Sequence, residues 1–146
     1  ISAAVFFMEN VIAPWAMGAL KAGNIMQAMP EGRALQQISV KSIGEFVASL
    51  VSRRESVFGQ RFNIADDELS GTDMATGLSQ ATGINIRYQS LPVETLKQQS
   101  EDMAAMFEWF DKVGYSADIS ALKQEFSDVA WQGYSQWAAS LDWPSL

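Results

Sequence analysis

The alternation of strand-like and helix-like segments constrains the fold of this chain more than any other feature. Residues 1–8 have the apolar pattern of a buried strand that runs into a helical segment. Further strands are predicted at Phe58–Ala65 and Ile84–Leu91, with helical patterns between the strands. Alternating strands and helices are typical of a parallel sheet with helices on its faces, so the sequence predicts an α/β fold.

A hairpin is predicted where two short extended runs, Asn24–Met29 and Ala34–Val40, flank residues 30–33. Those residues read Pro-Glu-Gly-Arg, and proline and glycine favour a tight turn. Outside the hairpin only three candidate strands remain, which is few for a self-contained sheet. The predicted architecture is therefore a few-stranded partial sheet with a hairpin and a helix-rich C-terminal part. We expect its strand edges to be completed by something else.

Helix boundaries are indicated by capping residues. Ser42 and Glu45 have the spacing of a capping box, as do Ser70 and Asp73, whose helix is predicted to stop at Gly83. Pro92 suits the first turn of a helical stretch that extends to about Val113. Two more helices are predicted near Leu122–Phe126 and from about Asp128 onward.

The residue types that are missing exclude several kinds of chemistry. The 146 residues, read as one domain over residues 1–146, contain no cysteine and no histidine. Thiolate nucleophiles, disulfides, the commonest general base and the commonest metal ligands are therefore excluded, and no metal site is predicted. Hydrophobic residues make up 48% of the chain, which is typical of a globular protein rather than a disordered one.

The charge of the chain argues against nucleic acid as a partner. The net charge is −7, and residues 101–146 carry eight acidic side chains against Lys112 and Lys123. Such an acidic surface repels phosphate backbones and is typical of a solvated helix face. The apolar runs are shorter than the roughly 20 residues that a membrane span needs, so no membrane partner is predicted. We expect a cytoplasmic protein, with which the lack of cysteine is compatible.

Several segments, taken in order, resemble one protein family. They are Phe6-Phe7-Met8-Glu9-Asn10 after a strand, Val40–Phe46, Gly59–Gly71, and Met106–Phe110 followed by Gly114-Tyr115. Their order and spacing resemble the C-terminal half of the NmrA-like proteins, which are atypical relatives of the short-chain dehydrogenases. The resemblance extends from about Val5 to Leu141. It implies the substrate-side half of a Rossmann protein that binds NAD(P) and acts as a reductase or as a redox sensor.

The sequence departs from that family in ways that bear on the cofactor. No G-x-G-x-x-G or G-x-x-G-x-x-G motif occurs, and a dinucleotide needs such a glycine turn at a helix N-terminus. Ala3-Ala4 stands where family members usually have Arg-Pro, and no Tyr-x-x-x-Lys pair is found. We therefore predict that this chain alone binds no cofactor and is not catalytically competent. It starts at Ile1 without a methionine, which permits the reading that its N-terminus was cut or never included.

Two groups of apolar residues are candidates for a substrate pocket. The resemblance places the first group beside the substrate, and a methionine and aromatic stripe with Tyr115 could form the opposite wall or a lid. Ordinary core packing is the alternative for both groups. Glu9 and Asn10 could equally satisfy nearby backbone groups. The predicted substrate-binding residues are Phe6, Phe7, Met8, Asn10, Met106, Phe107, Phe110 and Tyr115, with Met103 and Trp109 on the same stripe.

Two functions remain open from the sequence. The first is the substrate-binding lobe of an NmrA-like oxidoreductase or redox sensor that lacks its dinucleotide-binding half. The second is a free-standing module that binds a small apolar or aromatic molecule and associates with a second copy of itself as a dimer. The acidic triplet at residues 66–68 lacks the spacing of a calcium loop, and it is interpreted as a solvated turn before a helix.

Overall fold

The computed structural model describes residues 1–143 as a mixed α/β fold with several small sheets. The strands are β1 (Ser2–Ala4), β2 (Phe6–Phe7), β3 (Asn24–Gln27), β4 (Leu35–Ile38), β5 (Phe62–Ile64), β6 (Asp67–Leu69) and β7 (Arg87–Ser90). The α-helices are α1 (Met17–Lys21), α2 (Val40–Ser52), α3 (Arg54–Val57), α4 (Gly71–Thr82), α5 (Val93–Lys97), α6 (Glu101–Lys112), α7 (Ile119–Glu125) and α8 (Tyr134–Ser140). A 3-10 helix spans Met8–Ile12. The predicted α/β class is confirmed.

The first strand is broken at the buried Val5, and its two parts pair with different partners. β1 pairs with β5, with Ser2 opposite Phe62, and β2 pairs with β4, with Phe6 opposite Gln37. Both pairings are parallel, and a third parallel pair joins β3 to β7. β6 completes one sheet by running antiparallel to β4.

The hairpin prediction is wrong. A turn does form, because the Arg33 amide donates to the Pro30 carbonyl at 3.0 Å, but the segments on either side of it diverge. β3 pairs with β7, while β4 lies between β2 and β6. All four residues of β4 are buried, so this strand belongs in the middle of a sheet rather than at the edge of a hairpin.

The start of α2 lies earlier than the capping box had indicated. Ser39 is the N-cap, and its hydroxyl accepts from the Ser42 amide at 3.0 Å. Glu45 does not cap this helix, because its carboxylate accepts from the Ala130 amide at 2.8 Å. In contrast, Ser70 and Asp73 form the predicted capping box of α4, and Gly83 ends that helix with a φ of +76°.

The interpretation of residues 66–68 as a solvated turn is also wrong. Asp66 is fully buried, and residues 67–69 form β6. The Asp66 carboxylate accepts from the Ser39 amide at 2.8 Å and from the Gln132 amide at 3.3 Å. It therefore connects the start of α2 to the segment that precedes α8.

Asp67 fixes where the last helix begins. Its Oδ2 accepts from the Tyr134 amide at 2.8 Å, so α8 begins at Tyr134 rather than near Asp128. The buried face of α8 carries Tyr134, Trp137 and Ala138 and packs against α4. At Gly77 of α4 an added Cβ would lie 3.2 Å from the Ser135 hydroxyl, so the two helices approach closely.

Three apolar clusters form the core. One lies between α4, α8 and the 3-10 helix, and one lies between α2, β5 and α7. The third packs α6 against β2 and β4. No helix within residues 1–143 is both long enough and apolar enough to cross a bilayer.

The burial of Asp66 gives a pH dependence whose sign can be measured. Desolvation raises the pKa of this carboxyl above its ordinary value, although hydrogen bonds from Ser39, Ser42 and Gln132 oppose the shift. A raised folded-state pKa contributes stability that is complete below the unfolded value of 3.8 and is lost as the pH rises through the folded value. The unfolding free energy of the wild type, minus that of Asp66→Asn, should therefore fall as the pH rises through this window.

Asp73→Asn is the matched control for this measurement. Its hydrogen bonds with Ser70 lower the pKa of Asp73, so the stability it contributes is present above pH 3.8 and is lost as the pH falls through the folded value. The wild-type difference against Asp73→Asn should therefore rise with pH. Urea denaturation of the three proteins from pH 3 to 7 gives both slopes. If the difference rises with pH at both positions, hydrogen bonding rather than desolvation dominates the pKa of Asp66.

A pair of glycines tests how closely α4 is held against β7. An added Cβ at Gly71 would lie 2.4 Å from the ring of Tyr88, so Gly71→Ala must displace that ring. We expect a loss of about 1–3 kcal/mol in the free energy of unfolding. Gly44→Ala, in the exposed interior of α2 with nothing within 4 Å, should instead gain about 0.5–1 kcal/mol. Denaturant titration measures both changes, and an equal effect at the two positions would contradict the packing described here.

Candidate apolar pocket

An apolar pocket of about 250 Å³ opens between the N-terminal segment, the β3 strand and α6. Side chains from four parts of the fold meet there: the segment from β2 to α1, β3, the residue after β7, and α6. The lining residues are Phe6, Asn10, Val11, Trp15, Ala16, Ala19, Asn24, Ile25, Met26, Gln27, Leu91, Met103 and Phe107. Apolar walls with a few polar groups are typical of sites for small organic molecules.

None of the side chains that line this pocket is ionisable. Its polar side-chain groups are the amides of Asn10, Asn24 and Gln27 and the indole N–H of Trp15. Neutral amides can orient a carbonyl or hydroxyl group by hydrogen bonding, but they cannot transfer a proton as a general acid or base. The arrangement can therefore select a ligand by shape and exclude water, while any reacting group must come from elsewhere.

The two walls meet through edge-to-face aromatic contacts. The ring of Phe6 lies 6.5 Å from that of Phe107 and 5.7 Å from that of Phe110. Phe107 is nearly buried and Phe110 is fully buried behind it. These contacts fix β2 against α6, so the pocket wall is rigid on this side.

Three of the predicted residues, Phe6, Asn10 and Phe107, line the pocket together with Met103. Met8 and Phe110 lie in the core, whereas Phe7 and Met106 are exposed and lie outside this pocket. Strand geometry explains the difference between Phe6 and Phe7, since successive side chains of β2 point to opposite faces.

Tyr115 and Trp109 line a second cavity, of about 320 Å³, beside β1 and β5. Their rings lie 5.3 Å apart, and Tyr115 also contacts Phe110. Burial raises the pKa of the Tyr115 hydroxyl, so at neutral pH it can donate a hydrogen bond but cannot act as a base. The Phe110 ring contacts Phe6 of the apolar pocket on one side and Tyr115 on the other, so it separates Tyr115 from that pocket.

The sequence reasoning missed the wall formed by Trp15, α1 and β3. Trp15 is 78% exposed and lines the pocket, so its ring is accessible to a ligand there. Pro14 and Trp15 stand between the 3-10 helix and α1, in a region for which the sequence predicted only a helical segment without defined bounds. The signal that could have been used was an isolated tryptophan outside any helical stripe.

Glu9 acts within the fold rather than toward a ligand. Its Oε1 accepts from the Val40 amide at 3.0 Å and from the Trp137 indole at 3.1 Å. The carboxylate thus lies at the N-terminus of α2, where the helix dipole favours a negative charge. This result extends the expectation that Glu9 satisfies backbone groups, although the backbone it binds is distant in sequence.

Side chains already cap the N-termini of α2 and α4. Phosphate binding requires free backbone N–H groups at a helix N-terminus. At α2, which follows the parallel strand β4, the carboxylates of Glu9 and Asp66 and the hydroxyl of Ser39 already accept those N–H groups. At α4 the Ser70–Asp73 capping box does the same. Residues 1–143 also contain no group of three or more acidic side chains placed to hold a metal ion.

The fold is similar to several solved structures. One is a nucleoside-diphosphate-sugar epimerase from Staphylococcus aureus, with 16% identity, a TM-score of 0.76, and coverage of 95% of this chain and 51% of the other. Another is the negative transcriptional regulator NmrA in complex with NADP, with 14% identity, a TM-score of 0.67, and coverage of 96% and 51%. A third is an NADPH-dependent quinone oxidoreductase from Escherichia coli, with 20% identity, a TM-score of 0.70, and coverage of 92% and 52%.

The chain therefore spans about half the length of these structures. No curated protein sequence matches it significantly. A model of the NmrA-like family matches residues 1–141, and the chain accordingly belongs to the NmrA-like family.

Proposed function

We propose that this chain forms the substrate-side part of an NAD(P)-linked NmrA-like oxidoreductase or redox-responsive regulator. The observation that carries the proposal is the apolar pocket, whose lining residues can bind a flat organic molecule but include no ionisable group. The chain would supply shape and water exclusion, and it would not turn over a substrate alone. A cytoplasmic location is part of this proposal.

The open edge of β1 supports the idea that the functional unit is larger than this chain. Among residues 1–143 β1 pairs only with β5, which leaves one edge of a parallel strand without a partner. Parallel sheets occur almost only with several strands and with both faces covered. Solved structures with the same fold have about as many residues again. We infer that further strands add to β1 and carry the site for the nucleotide.

The substrate class follows from the pocket and from two neighbours. One similar structure is an NADPH-dependent quinone oxidoreductase, and another is a triphenylmethane reductase from Citrobacter. Quinones and triphenylmethane dyes are flat or propeller-shaped aromatic molecules, and Phe6, Phe107 and Trp15 offer aromatic surface to such rings. We therefore propose an aromatic, uncharged acceptor of quinone type, held by the amides of Asn10 and Gln27.

The second candidate is a free-standing binding module that pairs with a second copy of itself. The open edge of β1 would suit it equally well. Light scattering on the chain separates the two proposals, since a stable dimer would favour the module and a monomer would favour a missing part.

Fluorescence tests the pocket, because Trp15 lies at it and is largely exposed. A naphthoquinone such as menadione should quench the tryptophan emission saturably, and Trp15→Phe should remove most of the quenched signal. Ala19→Phe, which fills the pocket from α1, should weaken binding at least tenfold, about 1.4 kcal/mol. Ala48→Phe on the exposed surface of α2 is the matched control and should leave the affinity unchanged. Equal affinities of the two phenylalanine variants would exclude the pocket as the binding site.

Calorimetry tests whether this chain binds the quinone while another part of the functional unit binds the nucleotide. The chain should bind the quinone without NADPH and should show no saturable heat with NADPH, because it has no glycine-rich dinucleotide motif and the N-termini of α2 and α4 are already capped. A cooperative thermal transition in the same buffer confirms that the sample is folded. Stoichiometric NADPH binding by the chain would overturn the proposal that another part holds the nucleotide.

A further inference from the structure

The second cavity, of about 320 Å³, lies on the other side of the Phe110 ring from the apolar pocket. Its floor is the face of the β1–β5 pair that carries Ala3 and Asn63, which stand directly opposite each other. The neighbouring residues of β5 point to the other face, where α2 packs against them. Side chains from residues 109–117 form the wall. We call this space the β1–β5 cavity.

The charge of the β1–β5 cavity is opposite to that of the chain. The chain has a net charge of −7, yet among the described residues no carboxylate lines the cavity, whereas the Arg61 guanidinium does. Arg61 forms no ion pair within residues 1–143, and its Nε donates to the neutral Asn63 Oδ1 at 3.4 Å. A Cβ added at Gly114, in the wall, would lie 3.0 Å from the guanidinium of Arg33. Arg33 donates to two backbone carbonyls at the end of α6, so the cavity lies close to two positive charges.

The other polar side chains of the cavity can donate hydrogen bonds, and none of them donates to another group in the described part of the chain. They are the indole N–H of Trp109, the hydroxyls of Tyr115 and Ser116, and the amide N–H groups of Asn63. Burial raises the pKa of the Tyr115 hydroxyl, which therefore keeps its proton at neutral pH. Guanidinium and indole groups donate but do not accept, so this set of groups matches a ligand that carries acceptors.

The aromatic part of the wall offers flat apolar surface. The rings of Trp109 and Tyr115 lie 5.3 Å apart with their planes at 75°. Trp109 is 42% exposed and Tyr115 is half-buried, so neither ring is covered by the rest of the fold. A planar ring packs well against such surfaces, either offset-stacked or edge to face. The cavity therefore combines an apolar wall with a cationic group that binds planar anions.

We propose that the β1–β5 cavity is a binding site for a small aromatic carboxylate. The carboxylate accepts from the Arg61 guanidinium, whose fork matches a planar anion, and from the Ser116 hydroxyl. The ring of the ligand lies against Trp109 and Tyr115. Phe110 separates this site from the pocket proposed for the quinone, and a strand added to β1 would lie in the plane of the sheet rather than over this face. The inference therefore does not depend on the proposed function.

The indole N–H signals in a nitrogen–proton correlation spectrum of the chain report on the two cavities separately. Trp109 lines the β1–β5 cavity, Trp15 lines the apolar pocket, and Trp137 donates its indole N–H to Glu9 within the fold. Benzoate should shift the Trp109 signal saturably and leave the signals of Trp15 and Trp137 in place. Benzamide has the same shape without the charge, so it should bind at least about tenfold more weakly. A saturable shift at Trp15 instead of Trp109, or equal binding of the two compounds, would overturn the proposal.

Substitution of Arg61 tests the charged contact. Arg61→Gln should raise the Kd of benzoate at least about tenfold, and Arg61→Lys, which keeps the charge but loses the fork, should have an intermediate effect. Arg54→Gln is the matched control, because it makes the same change at an exposed arginine outside the cavity, and it should leave the Kd unchanged. Equal Kd values for Arg61→Gln and Arg54→Gln would contradict the site. If Arg61→Gln gives no folded spectrum, the benzoate-to-benzamide ratio and the Trp109 shift of the wild type decide the question.

Inorganic phosphate tests whether the aromatic wall contributes. It offers acceptor oxygens without a ring, so it should move the Trp109 signal only at concentrations at least about tenfold above those of benzoate. Phosphate binding as tight as that of benzoate would indicate a general anion site and would overturn the assignment to an aromatic acid. Menadione should shift the Trp15 signal equally in the wild type and in Arg61→Gln. If menadione causes no shift while benzoate binds as expected, the proposed function fails and the carboxylate site stands.

Discussion

The buried carboxylate of Asp66 is the contact on which the arrangement of this fold depends. It lies between β5 and β6 and accepts backbone N–H groups from the start of α2 and from the segment before α8. Burial of a carboxylate without such partners would be costly, so the two segments and the strand turn hold each other in place. Asp67 continues this role by fixing the first turn of α8. Two adjacent acidic residues thus join helices that are far apart in sequence.

Acidic side chains near the candidate pocket bind backbone N–H groups of the fold, and none of them lines the pocket. Glu9 and Asp66 occupy the N-terminus of α2, which is the place where a phosphate group would otherwise bind. The pocket beside Phe6 is left with amides and apolar walls. In this chain, charged side chains therefore serve to assemble the scaffold, and the pocket is lined by apolar side chains and amides. Such a division suits a part that works beside a nucleotide held elsewhere.

Local signals in the sequence predicted local structure well. The capping box at Ser70 and Asp73 and the glycine that ends α4 are recognised by short-range spacing, and both are present. The capping box predicted at Ser42 was wrong although the true N-cap, Ser39, is local. The remaining errors involve partners that are distant in sequence. Pro30 and Gly32 do form a turn, but β7 and β2 decide which strands pair, and the pattern around the turn holds no information on them.

The pocket shows the same limit. Phe6 and Phe107 could be proposed because each lies in an apolar segment, whereas the β3 wall exists only because β3 pairs with a strand from residues 87–90. Asp66 was misjudged because its environment comes from Ser39 and Gln132, which no local pattern connects to it. A side chain that is buried by distant segments looks the same in sequence as one that is exposed.

The pairing of β1 with β5 and of β3 with β7 makes strands near the N-terminus wait for segments that are synthesised later. β1 cannot pair until residues 62–64 have been made, and β3 cannot pair until residues 87–90 have been made. The Asp66 carboxylate gains its last partner only with Gln132. Folds with such long-range pairing form slowly and expose strand edges while they wait. During synthesis of this chain, the edges of the strands near the N-terminus therefore stay unpaired until these later segments have been made.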